Sequence, residues 1–161
     1  MPATQPSSNL FSHVLALEGL HTRPYKTHAG LTVGAGHLLT QYERASGSLL
    51  IAGKRHEPFA GPLSERALTQ LAKQDLAYAG CAVARLVKHP LNQHQFDALT
   101  LFTFNVGEGA LASSYLLETL NSGLPERVPE ILAWWVNYDG ARRVALIKRR
   151  ALEIKLWKGE L

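Results

Sequence analysis

Between Tyr25 and His37 the chain places glycines at 30, 34 and 36 around the β-branched pair Thr32-Val33. Such a stretch favours short strands joined by tight turns and gives a helix little to propagate on. The pattern differs on either side. Leu10 to Leu17 carries apolar residues at 10, 11, 14, 15 and 17, one face of a short helix that Ser8 or Asn9 can cap and that stops near Gly19. From Ser64 onward the apolar spacing is helical. The chain therefore reads as α+β, with a small β-rich lobe set near the N-terminus of a mostly helical protein.

The helical part divides at its own punctuation. Ser64-Glu65-Arg66 starts a long helix whose apolar face runs through Leu68, Leu71, Ala72, Asp75, Leu76, Ala79, Val83, Leu86 and Val87, and His89-Pro90 stops it. Asn92 caps a second, with Phe96, Leu99, Phe102 and Val106 on its inner face and Gly107 or Gly109 at its end. Ser113 or Ser114 opens a third, through Leu116, Leu117 and Leu120. Pro129 to Val136 is a fourth, ending in Trp134-Trp135; of these neighbours one is expected packed and the other partly exposed. Arg143 to Lys158 is the last, with Val144, Ile147, Ala151, Ile154 and Leu156 expected inward. Residues 46–62 read as a further strand and a loop. A single domain over 1–161 follows, with a loose arm at 1–9, an active-site and β lobe at 18–62 and a helical lobe at 63–161.

A length of 161 residues suits one domain with its own core. The one cysteine, Cys81, excludes an intramolecular disulfide, and its small neighbours suggest a partly buried, inert thiol. A formal charge of +4 favours polyanionic partners: nucleic acid, anionic lipid or an acidic bacterial wall. No nucleic-acid module signature accompanies it, so nucleic acid is not expected as a partner. No apolar run approaches a membrane span, and the polar first nine residues do not start a secretory signal. The seven histidines show no metal-ligand spacing, so neither a metal nor another cofactor is expected.

Glu18 stands at the end of the first helix, where the negative end of the helix dipole disfavours an ionised carboxylate. A carboxyl held protonated at a cleft edge suits a proton donor to a glycosidic oxygen. A second carboxylate usually activates water or stabilises the positive sugar.

Glu18-Gly19, Arg23-Pro24-Tyr25 and Gly30-Leu31-Thr32-Val33-Gly34-Ala35-Gly36-His37 together resemble the phage lysozyme (endolysin) family of muramidases. The likeness continues through Leu91–Leu99, Phe104-Asn105-Val106-Gly107, Ser113-Ser114-Tyr115-Leu116-Leu117 and Lys148-Arg149-Arg150-Ala151-Leu152-Glu153. It implies a lysozyme-like fold with the glycan cleft between its lobes, and Glu18 as general acid. Thr32 matches the family threonine that assists at the hydrolytic water, and His37 the histidine placed beside the Glu. Tyr25, Gly30, His37, Phe104, Asn105 and Gly107 are the implied substrate contacts. An arginine of the last helix is implied to reach toward Glu18; Arg149 and Arg150 both fit. The simplest reading of that terminal Lys/Arg cluster is otherwise a solvated helix face.

The departure is Thr27, where the family has Asp. A threonine binds water but is no base near neutral pH. His28 next to it is one substitute base, and Glu108 an auxiliary group; Asp97 is expected to face solvent or to cap locally. Without the Asp, three readings stand. They are hydrolysis with Thr32 and Thr27 orienting water, lytic transglycosylation giving anhydro products, and a wall-binding module of a phage tail or secretion device. The first implies an endolysin: a monomer made in the host cytoplasm, released through a holin pore and acting on periplasmic peptidoglycan.

Overall fold

The computed structural model describes residues 4–138 and 140–161. The fold is α+β, with the strands concentrated near the N-terminus and helices making up most of the remainder. Two compact units are formed, one of residues 11–75 and one of residues 4–10 with 76–161. The long helix α3 (Glu65–Leu86) gives its first half to one unit and its second half to the other.

In the first unit α1 (Leu10–Glu18) leads into an antiparallel sheet of β1 (His21–Thr27), β2 (Gly30–Gly34) and β3 (His37–Leu38), in the order β1-β2-β3. Thr27 pairs with Gly30 and Tyr25 with Thr32, so β1 and β2 close through a two-residue turn at His28-Ala29. A second hairpin, β4 (Leu49–Ile51) with β5 (Lys54–His56), fills the segment expected to hold one strand and a loop. Between the sheets lies a helix not foreseen in the sequence, α2 (Gln41–Ser46). Its signal was present: the Thr40 hydroxyl accepts from the Glu43 N–H while the Glu43 carboxylate accepts from the Thr40 N–H, a capping box. The core of this unit is Val33, Leu39, Leu49, Ile51, Leu63, Ala67, Leu68 and Leu71. Each large aliphatic side chain buried there contributes about 1.5–3 kcal/mol.

The second unit is built on α4 (Gln93–Val106), whose N-cap Asn92 accepts from Gln95 and whose C-cap is Gly107. Then follow α5 (Glu108–Ala112), α6 (Tyr115–Asn121) capped by Ser114, a 3-10 turn (Pro125–Arg127), α7 (Val128–Trp134) and α8 (Val144–Lys158). A short ribbon of β6 (Asn137–Tyr138) and β7 (Ala141–Arg142) precedes α8. Helix α4 packs on α8, and α7 packs on α8. As expected of the adjacent tryptophans, Trp135 meets Phe102 edge-on at 5.1 Å while Trp134 stays half exposed.

Several expectations need correction. Residues 1–3 of the supposed loose arm lie outside the described residues, but Gln5 and Ser7 are tied down. The Ser7 N–H donates to Asp97 Oδ1 at 2.9 Å, and Gln93 Nε2 donates to the Gln5 carbonyl at 2.9 Å. Asp97 is consequently buried rather than solvated. Cys81 is exposed, because Ala79, Gly80, Ala82 and Val83 take the buried face of α3. On α8 the buried residues are Arg149, Arg150, Glu153, Leu156 and Trp157, while Val144 and Ala151 are exposed. The terminal arginines are thus not a solvated face. Apolar spacing misplaced the inner face because charged residues occupy most of it.

Candidate active site

Glu18 is the last residue of α1 and is half-buried. The turn that follows β2 brings Gly36 against it: a Cβ added at Gly36 would lie 3.5 Å from Glu18 Cδ and 3.7 Å from both carboxylate oxygens. Gly36 has φ +98°, a conformation that side-chain-bearing residues avoid. Glycine is thus required by the turn, while the approach to Glu18 alone would leave a Cβ at ordinary van der Waals distance. The Gly-x-Gly-His run pointed to this position, although the sequence reading did not count Gly36 among site residues.

Tyr25 shares that neighbourhood. Burial, and then the charge of Glu18, raise its phenol above the ordinary tyrosine value. The ring also packs on His21, centroids 4.1 Å apart.

Across the β1–β2 pair the side chains of Thr27 and Thr32 meet, with Oγ1 atoms 3.1 Å apart. Thr27 donates to the Gly30 carbonyl at 3.0 Å, which fixes its rotor. Thr32 is 3% exposed and Thr27 is open to solvent, so the pair has a dry end and a wet end. Two hydroxyls can orient a water by accepting and donating, but neither is a base. His28, in the turn beside Thr27, is exposed.

His37 is held between two carboxylates. Its Nδ1 lies 3.0 Å from both oxygens of Asp75 on α3, and its Nε2 lies 3.4 Å from Glu43 on α2. Burial lowers its pKa, but the hydrogen bond and charge of Asp75, joined by Glu43, outweigh burial and raise it. Glu43 shifts downward: burial opposes this, and its bonds from Thr40 together with His37 prevail. Sequence reasoning missed both carboxylates as partners. An acid on the apolar face of α3 was the signal for Asp75, and the Thr-x-x-Glu cap was the signal for Glu43.

In the second unit Phe104 and Asn105 are half-buried near the end of α4, and Gly107 is exposed. Arg150 Nη2 donates to Asn105 Oδ1 at 2.6 Å, pairs with Glu153 at 3.1 Å, and its guanidinium stands 4.8 Å from the Phe102 ring centre. Both arginines implied for the last helix are buried, and Arg150 bonds Asn105. Burial pushes Glu153 up to about 8 against the pull of Arg150 and Arg149. Glu108 is exposed and ion-paired with Arg85. Among the described residues no group of three or more His, Cys, Asp or Glu is arranged to hold a metal ion. Nor, among them, is any helix long and apolar enough to cross a membrane.

The architecture is that of a lysozyme. A solved P22 lysozyme variant superposes with a TM-score of 0.76 at 27% identity, covering 97% of this chain and 99% of that one. The phage lysozyme family model matches residues 15–153, and the chain belongs to that family, one of lysozyme-type glycoside hydrolases. The endolysin of Salmonella phage P22 is 31% identical over 149 residues, 91% of this chain and 93% of that protein. The endolysin of Bacillus phage B103 is 32% identical over 160 residues, 98% of this chain but 54% of its own length. The chain thus spans about half of the B103 relative.

Proposed function

We propose that this chain is an endolysin-type muramidase that hydrolyses the β-1,4 bond between N-acetylmuramic acid and N-acetylglucosamine in bacterial peptidoglycan. Glu18 protonates the leaving glycosidic oxygen as the bond to the anomeric carbon breaks. A water oriented by Thr32 and Thr27 adds to that carbon, and its surplus proton passes to bulk solvent. The observation that carries this reading is the hydroxyl contact of Thr27 and Thr32, 3.1 Å, on the strand pair that leads into the Gly36 turn against Glu18.

Tyr25, Gly30, His37, Phe104, Asn105 and Gly107 serve as glycan contacts in this reading. His28, Glu108, Arg149 and Arg150 are auxiliary. The protein acts as a monomer, reaches the wall through a holin pore from the host cytoplasm, and works in the periplasm.

One observation favours a second reading. Thr27, where the resemblance implies an aspartate, supplies a hydroxyl and no base, so the sugar's own C6 hydroxyl can replace water as the nucleophile. Glu18 then gives a proton to the leaving oxygen and takes one from that hydroxyl, leaving an anhydro-sugar. Mass spectrometry of fragments released from purified peptidoglycan separates the two. Reducing muropeptides are the expected product, and fragments lighter by one water would replace hydrolysis with transglycosylation. A folded Glu18→Gln variant that cut the wall at the parent rate would sink both.

A further inference from the structure

Outside these residues the second unit carries an exposed aromatic face with no part in the proposed chemistry. Tyr115, the first residue of α6, and Trp134, the last of α7, are 49% and 51% exposed. Their rings are stacked, parallel within 8° at a centroid distance of 6.2 Å, so each shields part of the other's inner face and the exposed remainder of both is open to solvent. Arg127 completes it: its guanidinium stands 6.0 Å from the Tyr115 ring centre, and Nη1 donates to the Tyr115 hydroxyl at 3.2 Å. The ion pair that Arg127 makes with Glu130 is long, at 3.8 Å, and solvent-screened, so an incoming carboxylate displaces it at little cost.

We propose that Tyr115, Trp134 and Arg127 form a second wall-contacting surface. A pyranose ring of a peptidoglycan strand lies on the exposed face of Trp134, which Tyr115 backs by stacking, and a carboxylate of that strand's lactyl or peptide substituent lies on Arg127. The inference rests on the peptidoglycan reading above. Aromatic faces suit the C–H face of a sugar, and their combination with a cation fits a strand that alternates apolar sugar faces with carboxylates. The net charge of +4 matches the same partner. Folding does not explain Trp134, since Trp135 already supplies the aromatic contact to Phe102. Such a surface would hold the protein on insoluble wall between cleavage events.

Glu18→Gln keeps the polymer intact, so it is the background for co-sedimentation with purified sacculi. Adding W134A or Y115A is expected to weaken binding about tenfold each, the size of one well-packed aromatic contact. Adding R127A is expected to weaken binding to sacculi that carry peptides and to leave binding to peptide-stripped glycan unchanged. A W134A/Y115A double variant of native circular dichroism that binds sacculi like its background overturns the proposal. With Glu18 restored, W134A is expected to cleave short soluble glycan at the parent rate. A slower rate there would make Trp134 part of the reacting site and overturn the claim of a separate surface. A parent that releases no fragments would remove the muramidase reading alone, because the sedimentation result does not depend on cleavage.

Discussion

The side chains of Thr27 and Thr32 meet across the β1–β2 pair, hydroxyl to hydroxyl at 3.1 Å. If this pair orients the attacking water, removing the Thr32 hydroxyl with Thr32→Val should slow release of reducing ends about tenfold, the worth of one hydrogen bond in the transition state. Thr27→Asp should raise the same rate on the order of a hundredfold by installing a base. Reducing-end assays on purified wall test both, and a Thr32→Val variant as fast as the parent would contradict the role.

Gly36 gives a second test. A Gly36→Ala change keeps ordinary van der Waals distance to Glu18 but forces an alanine to φ +98°. Chemical denaturation should show a loss of about 1–2 kcal/mol from that strain. Turnover should fall through kcat more than through KM, since the turn bears on the acid itself. An alanine variant with unaltered stability would mean that the turn relaxes elsewhere.

The His37 clamp makes stability depend on pH with a defined sign. The folded value of His37 is raised, so its contribution is complete below the ordinary value of 6.5 and is lost as pH rises through the folded value. Glu43 is depressed, so its contribution is complete above 4.5 and is lost as pH falls through its folded value. Between these limits both are present. Thermal melts of the parent and His37→Gln should therefore differ most near pH 5.5 and converge in alkali. A constant gap across that range would refute the clamp.

The buried pair on α8 predicts a non-additive result. Arg150 and Glu153 have side chains 2% and 0% exposed. Glu153→Ala strands a buried guanidinium and should cost about 3–5 kcal/mol, whereas Arg150→Met with Glu153→Leu should restore most of the loss. Urea unfolding of the three variants measures this directly. Equal loss in the single and double variants would show that the pair is not the source of the cost.

The elements written in local chemistry were legible. Apolar spacing located α1, α3, α4 and α6; the side chains of Asn92 and Ser114 began α4 and α6, and Gly107 ended α4. Glycines and β-branched residues located the small sheet, where the structure brings Thr27 and Thr32 into contact. Short elements were harder, since α2 and α5 are too brief for periodicity to register.

Tertiary structure alone decided the rest, because it sets which polar groups lose water together. Apolar spacing could not show that the inner face of α8 holds Arg149, Arg150 and Glu153, since a charged residue is buried only when distant partners compensate its desolvation. The same holds for Asp97, satisfied by the N–H of Ser7, 90 residues away in sequence. It holds again for His37, whose partner Asp75 lies 38 residues downstream. Local sequence determines what a segment can form. Only the folded chain determines which of its charges are brought in from solvent, and against what.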